Sequence, residues 1–365
     1  MKKIYYITAV FATLFLVGCG DGIDLPGVNV ETDLNKIPLP DNNVNLEQVE
    51  LKPSTEPMLH EGLHTEEDFQ RIRDKKAAGE EPWVSAYQLL VESQFSQKTA
   101  DTYPTEWIKR GVSGDENYMN AARGATIAYQ QALRWKIEQD DEYAAKAVEN
   151  LNKWVQTCVG VTGNTNLSLA AGLYGYEFAI AGELLRDYEG WDRADFAAFQ
   201  NWLLKVFYPA NDDFLKRHHD TNALHYWANW CLCNIAAKMA IGIVTDRRDI
   251  YNEGIAHLQT GDTNGRLRRA IYHDYAPDYN FAQWQESGRD QGHTLMCVGL
   301  MGIICQLAWS QGDDFFAYDD NLFLRACEYA ACCNYTNETV PYTTYIWQKQ
   351  SQWGYPIPEE QTTLG

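Results

Sequence analysis

Two short stretches concentrate side chains that can move protons and hold an anion. They are Asn222-Ala223-Leu224-His225-Tyr226-Trp227 and Arg268-Arg269-Ala270-Ile271-Tyr272-His273-Asp274-Tyr275. An Asn, a His, an Arg pair and a Tyr can together neutralise a carboxylate, take a proton from the carbon beside it and protonate a departing oxygen. That set of operations is what β-elimination across a uronic-acid glycosidic bond demands. The C5 proton of a uronate is only weakly acidic, so the carbanion-like state needs preorganised electrostatic stabilisation. Arg suits the carboxylate because its planar fork binds it through two hydrogen bonds. Asn222 and His225 are three residues apart, which on a helix places them on one face. Tyr275 is the candidate proton shuttle. An unperturbed Tyr has a pKa of about 10, and Arg268 or Arg269 beside it would favour the phenolate. His225 can instead take the C5 proton while Tyr275 donates to O4.

The elements that must position these groups are helical. Apolar residues recur at helical spacing almost throughout, and strand-type alternation is scarce. Thr65 opens one helix, with Glu66, Glu67 and Asp68 in its first turn, and Pro82 sits near the start of the next. Further helices are predicted over 114–138, 142–157, 166–188, 192–207, 221–243, 247–259, 288–311 and 318–334, with 272–285 irregular. A weak internal period recurs, in which a long helix ends, an acidic turn follows and an aromatic-bearing helix begins. It is seen at Gln139-Asp140-Asp141-Glu142-Tyr143, at Thr245 to Tyr251 and at Gln311-Gly312-Asp313-Asp314-Phe315. Repeated helical hairpins build either an α-solenoid or an α/α toroid. The variable helix lengths favour an all-α fold of the second kind, a toroid or barrel of helical hairpins.

The N-terminus reads as an export signal over residues 1–18. Lys2 and Lys3 precede a mostly apolar run from Ile4 to Val17. As a helix that run would reach about 21 Å, short of a bilayer core of about 30 Å. No later apolar run is read as a membrane span. Leu16-Val17-Gly18-Cys19 resembles a bacterial lipobox, which implies a lipid anchor on Cys19 and an exported protein, either outer-membrane or periplasmic. Residues 19–57, rich in Asp, Asn, Pro and Val, read as a tether. Residues 58–365 then form the toroid domain.

The formal net charge is −20, and removal of Lys2 and Lys3 makes it more negative. A nucleic-acid partner is excluded, because that needs a basic stripe. Arg266, Arg268 and Arg269 can still make a cleft locally positive for an anionic polysaccharide. Apart from Cys19, eight cysteines sit mostly in apolar helical stretches, where free Cys behaves as a small buried hydrophobe. His218-His219-Asp220 is read as a loop at a helix start rather than a metal cluster. No cofactor or metal is expected, since Asn, His and Arg can take a cation's place. The 12 Trp and 22 Tyr serve a large helical core, a few of them free to stack on sugar rings.

The Asn-x-x-His-Tyr-Trp segment, Asp246-Arg247-Arg248-Asp249 and the Arg-Arg-Ala-Ile-Tyr-His-Asp-Tyr run together resemble the helical-toroid alginate lyases. Glu286-Ser287-Gly288-Arg289-Asp290-Gln291-Gly292-His293 also resembles a signature of the Bacteroides-type members, which act on alginate or glucuronan. The similarity spans residues 58–340. It departs at Asn222 and His225, which are adjacent in the best-known members, and members continue beyond the position of Gly365. The resemblance implies an incomplete (α/α) toroid and a polysaccharide lyase with its groove along one face of it. The candidate catalytic residues are Asn222, His225, Arg268, Arg269 and Tyr275. Arg289, His293, Trp227, Tyr226 and Asn166 are the candidate substrate-binding residues. Two rivals remain. One is a non-catalytic glycan-binding lipoprotein, with no need for His225 and Tyr275. The other is a glycoside hydrolase on the same toroid, needing two facing carboxylic acids from among Glu286, Asp290 and Asp274.

Overall fold

In the computed structural model, residues 55–336, 339–351 and 353–365 are described. The export signal, Cys19 and nearly all of the tether therefore lie outside the described residues. Helix α1 (Glu66–Ala77) opens on a reciprocal cap: Thr65 accepts from the Asp68 N–H, and Asp68 accepts from the Thr65 N–H. Such a cap stabilises by about 1 kcal/mol. After α2 (Trp83–Glu92) come α3 (Tyr118–Glu138), α4 (Asp141–Thr157), α5 (Leu167–Leu184), α6 (Arg193–Val206), α7 (Tyr208–Arg217), α8 (Ala228–Val244) and α9 (Arg248–Thr260). The single turn α10 (Leu267–Ala270) precedes α11 (Gln291–Ser310) and α12 (Tyr318–Tyr335).

Four of these helices form an inner arc. Helix α3 packs on α5, α5 on α8, and α8 on α11, while α4, α6, α9 and α12 return along the outside. Almost every residue of α5 and α8 is buried, which is why neither shows a one-sided apolar stripe. Helix α11 is long and apolar enough, by length and composition, to cross a membrane. That departs from the sequence reading, but the helix packs between α8 and α12 as part of this core.

Because each inner helix is followed by an outer one, the inner helices run in one direction. Their C-terminal ends carry the acidic turns of the internal period. Arg186 ties that end together, binding Glu183 at 2.8 Å and the carbonyl oxygens of Ile243 and Val244 at 3.1 and 2.9 Å. Residues 56–61 cross the same end: Gln311 bonds the Leu59 and Glu61 carbonyls, and Arg248 those of Glu56 and Pro57.

The N-terminal ends carry short strands that the sequence pattern does not show. Strand β1 (Trp107–Arg110) pairs in parallel with β2 (Gly160–Gly163), just ahead of α3 and α5. The segment read as irregular is an antiparallel pair, β3 (Ile271–Asp274) with β4 (Ala282–Trp284). A C-terminal hairpin, β5 (Tyr345–Gln350) with β6 (Pro356–Gln361), completes the described chain. Under it lies a small aromatic cluster of Trp227, Tyr272 and Tyr345, with Trp230 and Trp347 against it, separate from the main core.

Candidate functional site

The N-terminal ends of α3, α5, α8 and α11 meet on one face. Each helix places partial positive charge there, so the face attracts anions before any side chain is considered. Contacts stitch these ends together. Ser168 on α5 bonds His219 Nε2 at 2.9 Å. Gln285 and Glu286, ahead of α11, accept from the Ala228 and Asn229 N–H groups at 2.8 and 3.0 Å, so they cap α8. All of the candidate residues with described positions lie on or near this face.

Asn222 and His225 do not share a helix face. Helix α8 begins at Ala228, and both residues sit in the turn before it. The Asn222 amide is already engaged: Nδ2 donates to the Gln348 carbonyl at 3.0 Å and Oδ1 accepts from the Leu224 N–H at 2.9 Å. Asn222 thus shapes the turn and anchors β5 through its oxygen and one of its two amide N–H groups. His225 Nδ1 accepts the Gln350 backbone N–H at 2.7 Å. A neutral imidazole that accepts at Nδ1 carries its proton at Nε2. Burial, and then Lys349, pull its pKa below the ordinary value. His225 in this arrangement is a neutral hydrogen-bond donor.

Tyr275 follows β3. Its hydroxyl donates to Gln283 Oε1 at 2.6 Å and lies 3.1 Å from Thr343 Oγ1. Burial raises its pKa, opposite to the shift that a neighbouring Arg would give. Among the described residues its hydroxyl's partners are Gln283 and Thr343, and both arginines have contacts elsewhere. Arg268 pairs with Asp319 and lies 3.7 Å from Asp274. Arg269 donates to the Asp262 carbonyl at 2.7 Å, and burial, with Arg266 nearby, lowers its pKa. None of these contacts is to Tyr275.

The residue missed at this point is His273. Two positions before Tyr275, its ring centroid is 4.5 Å from the Tyr275 ring, nearly edge-on. Burial lowers its pKa, and its side chain has no hydrogen bond among the described residues. It stood in the sequence beside the chosen tyrosine, but only the strand shows that residues i and i+2 project together. A row of rings runs from here to His225: Tyr272, Tyr345, Trp227 and Trp347, with successive centroids 4.9, 6.0 and 4.7 Å apart. Trp227 and Tyr226 are buried, so they form the floor and not an exposed platform.

Arg289 and His293 form an ion-pair network. Arg289 bonds fully buried Glu286 at 3.1 Å and His293 Nε2 at 3.0 Å, and its guanidinium lies 5.3 Å from the Trp227 ring centroid. His293 Nδ1 meets Asp290 at 2.6 Å. Both His293 nitrogens therefore have partners within the protein. Glu286 is engaged by Arg289, the α8 N-terminus and Cys297, and Asp274 by Arg325. These commitments do not suit a free hydrolytic carboxylate pair. Asn166 sits at the start of α5, its Nδ2 on Asn164 Oδ1 at 2.9 Å. His218 is buried with Cys231 Sγ 3.5 Å from its Nε2, and burial pushes its pKa down to about 4. Among the described residues, no three His, Cys, Asp or Glu side chains gather to hold a metal.

A family model described as alginate lyase matches residues 72–338, well over half of the chain. The chain belongs to the alginate lyase family. It is a polysaccharide lyase. No curated protein matches it. Among solved structures, alginate lyase A1-III from Sphingomonas species A1 has a TM-score of 0.53 at 13% identity, over 76% of this chain and 80% of that one. An alginate lyase from Bacteroides ovatus has a TM-score of 0.52 at 13% identity, over 74% and 82%. At such identities these two likenesses show the fold, an α/α toroid, and this lyase has it.

Proposed function

We propose that this lyase cleaves 1,4-linked uronans, alginate first and glucuronan second, by β-elimination at the face where the inner helices present their N-termini. One observation carries the reading. Tyr275, a phenol kept protonated by burial, lies against His273, an imidazole kept neutral by burial and without a hydrogen-bond partner among the described residues. His273 takes the C5 proton. The C5–H electron pair forms the C4=C5 double bond, the C4–O4 bond breaks, and Tyr275 delivers its proton to O4. The imidazolium and phenolate left side by side then exchange one proton, which resets both groups without water. Delocalisation of the C5 electron pair into the adjacent carboxylate is assisted by a hydrogen-bond donor to that carboxylate. His225, with its proton at Nε2, fills that role. The buried rings of Tyr272, Tyr345 and Trp227 form the floor beneath the bound sugars.

Two A1-III structures, one with a Tyr-to-Phe and one with a His-to-Ala replacement, are complexed with tetrasaccharide. They support an oligosaccharide ligand and a Tyr–His site here. We propose in addition that Cys19 carries a lipid, with an export signal over 1–18 and a tether over 19–57, making the protein an outer-membrane or periplasmic lipoprotein. Radiolabelled fatty acid should be incorporated by the intact chain and lost in Cys19→Ser.

Ultraviolet absorbance of the conjugated unsaturated uronate tests the activity. It should rise when the purified protein meets alginate or glucuronan. New reducing ends without that absorbance would indicate a hydrolase, and binding without any product would indicate a glycan-binding protein.

A further inference from the structure

We propose that Arg110, with Tyr118 and Arg123, forms a second anion subsite, which grips a uronate carboxylate of the bound chain away from the reacting sugar. The nature of the ligand rests on the lyase reading above.

Four arginines are buried: Arg110, Arg134, Arg186 and Arg325. Three have carboxylate partners, namely Glu138, Glu183 with Asp246, and Asp274. Arg110 is the exception. It is 6% exposed, yet among the described residues its guanidinium makes neither an ion pair nor a hydrogen bond, and Nη1 is buried without a partner. Its guanidinium lies over the Tyr118 ring, 4.6 Å from the centroid, and that ring in turn stacks on Tyr174 at 6.4 Å. A buried cation without an anion is strongly unfavourable unless something supplies the missing charge. The nearby carboxylate of Glu116 is turned to the Gly111 N–H at 2.6 Å instead.

The surroundings suit an anion. Arg110 closes β1 opposite Gly163, at the starts of α3 and α5, and neither helix has a side-chain cap. Their N–H groups therefore add positive potential. Arg123, one turn into α3, also lacks a carboxylate among the described residues. It reaches Asn120 Oδ1 at 3.4 Å and lies 5.6 Å from the Tyr103 ring centroid. The guanidinium fork meets a carboxylate bidentately, and the tyrosine rings offer apolar faces to sugar C–H groups.

The place is also right for a polymer. The loop after β2 leads into α5, where Ser168 bonds His219, whose ring packs on Tyr226 beside His225. A uronan carries a carboxylate on every sugar, so a chain crossing His225 offers another to Arg110.

The test uses the full chain, alginate polymer and alginate oligosaccharides of defined length. In Arg110→Gln, KM for the polymer should rise about ten- to a hundredfold, as expected for a lost charge-assisted bond, with kcat within about twofold. Arg110→Lys should recover part of the loss. Arg110→Gln should melt no lower than wild type, because an unmatched cation has gone, but the rise in melting temperature on adding alginate tetrasaccharide should shrink. Unchanged KM and an unchanged tetrasaccharide effect in Arg110→Gln would overturn the subsite and leave the lyase reading standing. A variant that unfolds would make Arg110 a structural cation and also overturn it. If wild type makes no unsaturated product, yet tetrasaccharide stabilises it and not Arg110→Gln, the subsite stands and the lyase reading fails. A wild type that no uronan stabilises or reacts with overturns both.

Discussion

Tyr275→Phe separates chemistry from folding because the structure assigns very different sizes to the two effects. The hydroxyl makes two contacts, to Gln283 Oε1 at 2.6 Å and Thr343 Oγ1 at 3.1 Å. Gln283 Oε1 is not orphaned when the hydroxyl goes, since it still accepts the Thr343 N–H at 2.8 Å, and Gln283 Nε2 still donates to the Thr343 carbonyl at 2.9 Å. The ring keeps its contacts with His273, Tyr279 and Tyr329. With no buried group left unsatisfied, the stability loss should be about 1–1.5 kcal/mol. For a chain of this size that is only a few degrees in melting temperature. Losing the proton donor to O4 should lower turnover by about 10²–10⁴, equivalent to roughly 3–5 kcal/mol of barrier. Calorimetry, initial rates of unsaturated-product formation and titration of alginate tetrasaccharide into the folded variant measure the three quantities. A folded Tyr275→Phe protein that turns over within about threefold of wild type would remove Tyr275 from the mechanism.

The rate should also depend on pH in a defined direction. Falling pH protonates His273 and removes the base; because burial lowers its pKa, that limb should lie below the ordinary His value of about 6.5. Rising pH ionises Tyr275 and removes the acid; because burial raises its pKa, that limb should lie above about 10. A kcat that climbs through mildly alkaline pH would show instead that phenolate is the active form. Arg289→Ala should act mainly on stability, costing about 3 kcal/mol in denaturant titrations, because Glu286 is fully buried and loses its cation. A normal midpoint with a raised KM would return Arg289 to substrate binding. Chelation with EDTA should leave the rate unchanged, since His225 takes the role of a cation at the carboxylate. Loss of activity restored by a divalent ion would contradict that role.

The helices were legible because their signals are local. Thr65 with three acidic residues after it marks a helix start, and acidic turns mark where each inner helix hands over to an outer one. The boundaries before α5, α8 and α11 were harder to read. Buried inner helices carry apolar residues on all sides, so periodicity does not show where Asn222 to Trp227 leave the helix. The short strands are set by pairing between segments far apart in sequence, as with Arg110 and Gly163. The same holds for the site. The fold brings the two stretches to one face, where His225 is held through Nδ1 by the Gln350 N–H and the Tyr275 hydroxyl is shared between Gln283 and Thr343. Arg268, Arg269, Asn222 and His293 have partners, Asp319, the Asp262 carbonyl, the Gln348 carbonyl and Asp290, that follow from the fold or from side-chain geometry and not from residue type. His273 was passed over because its lack of a hydrogen-bond partner among the described residues is a three-dimensional fact.

The central claim is that the glycosidic bond is broken by elimination and not by water. Mass spectrometry of alginate digested by the intact protein in ¹⁸O-labelled water tests it most directly. Elimination should give fragments whose new non-reducing ends are lighter by one water and unsaturated, with no label incorporated at cleavage once reducing-end exchange is blocked or corrected. Saturated fragments carrying one ¹⁸O for every bond cut would show hydrolysis and would contradict the roles given to His273 and Tyr275.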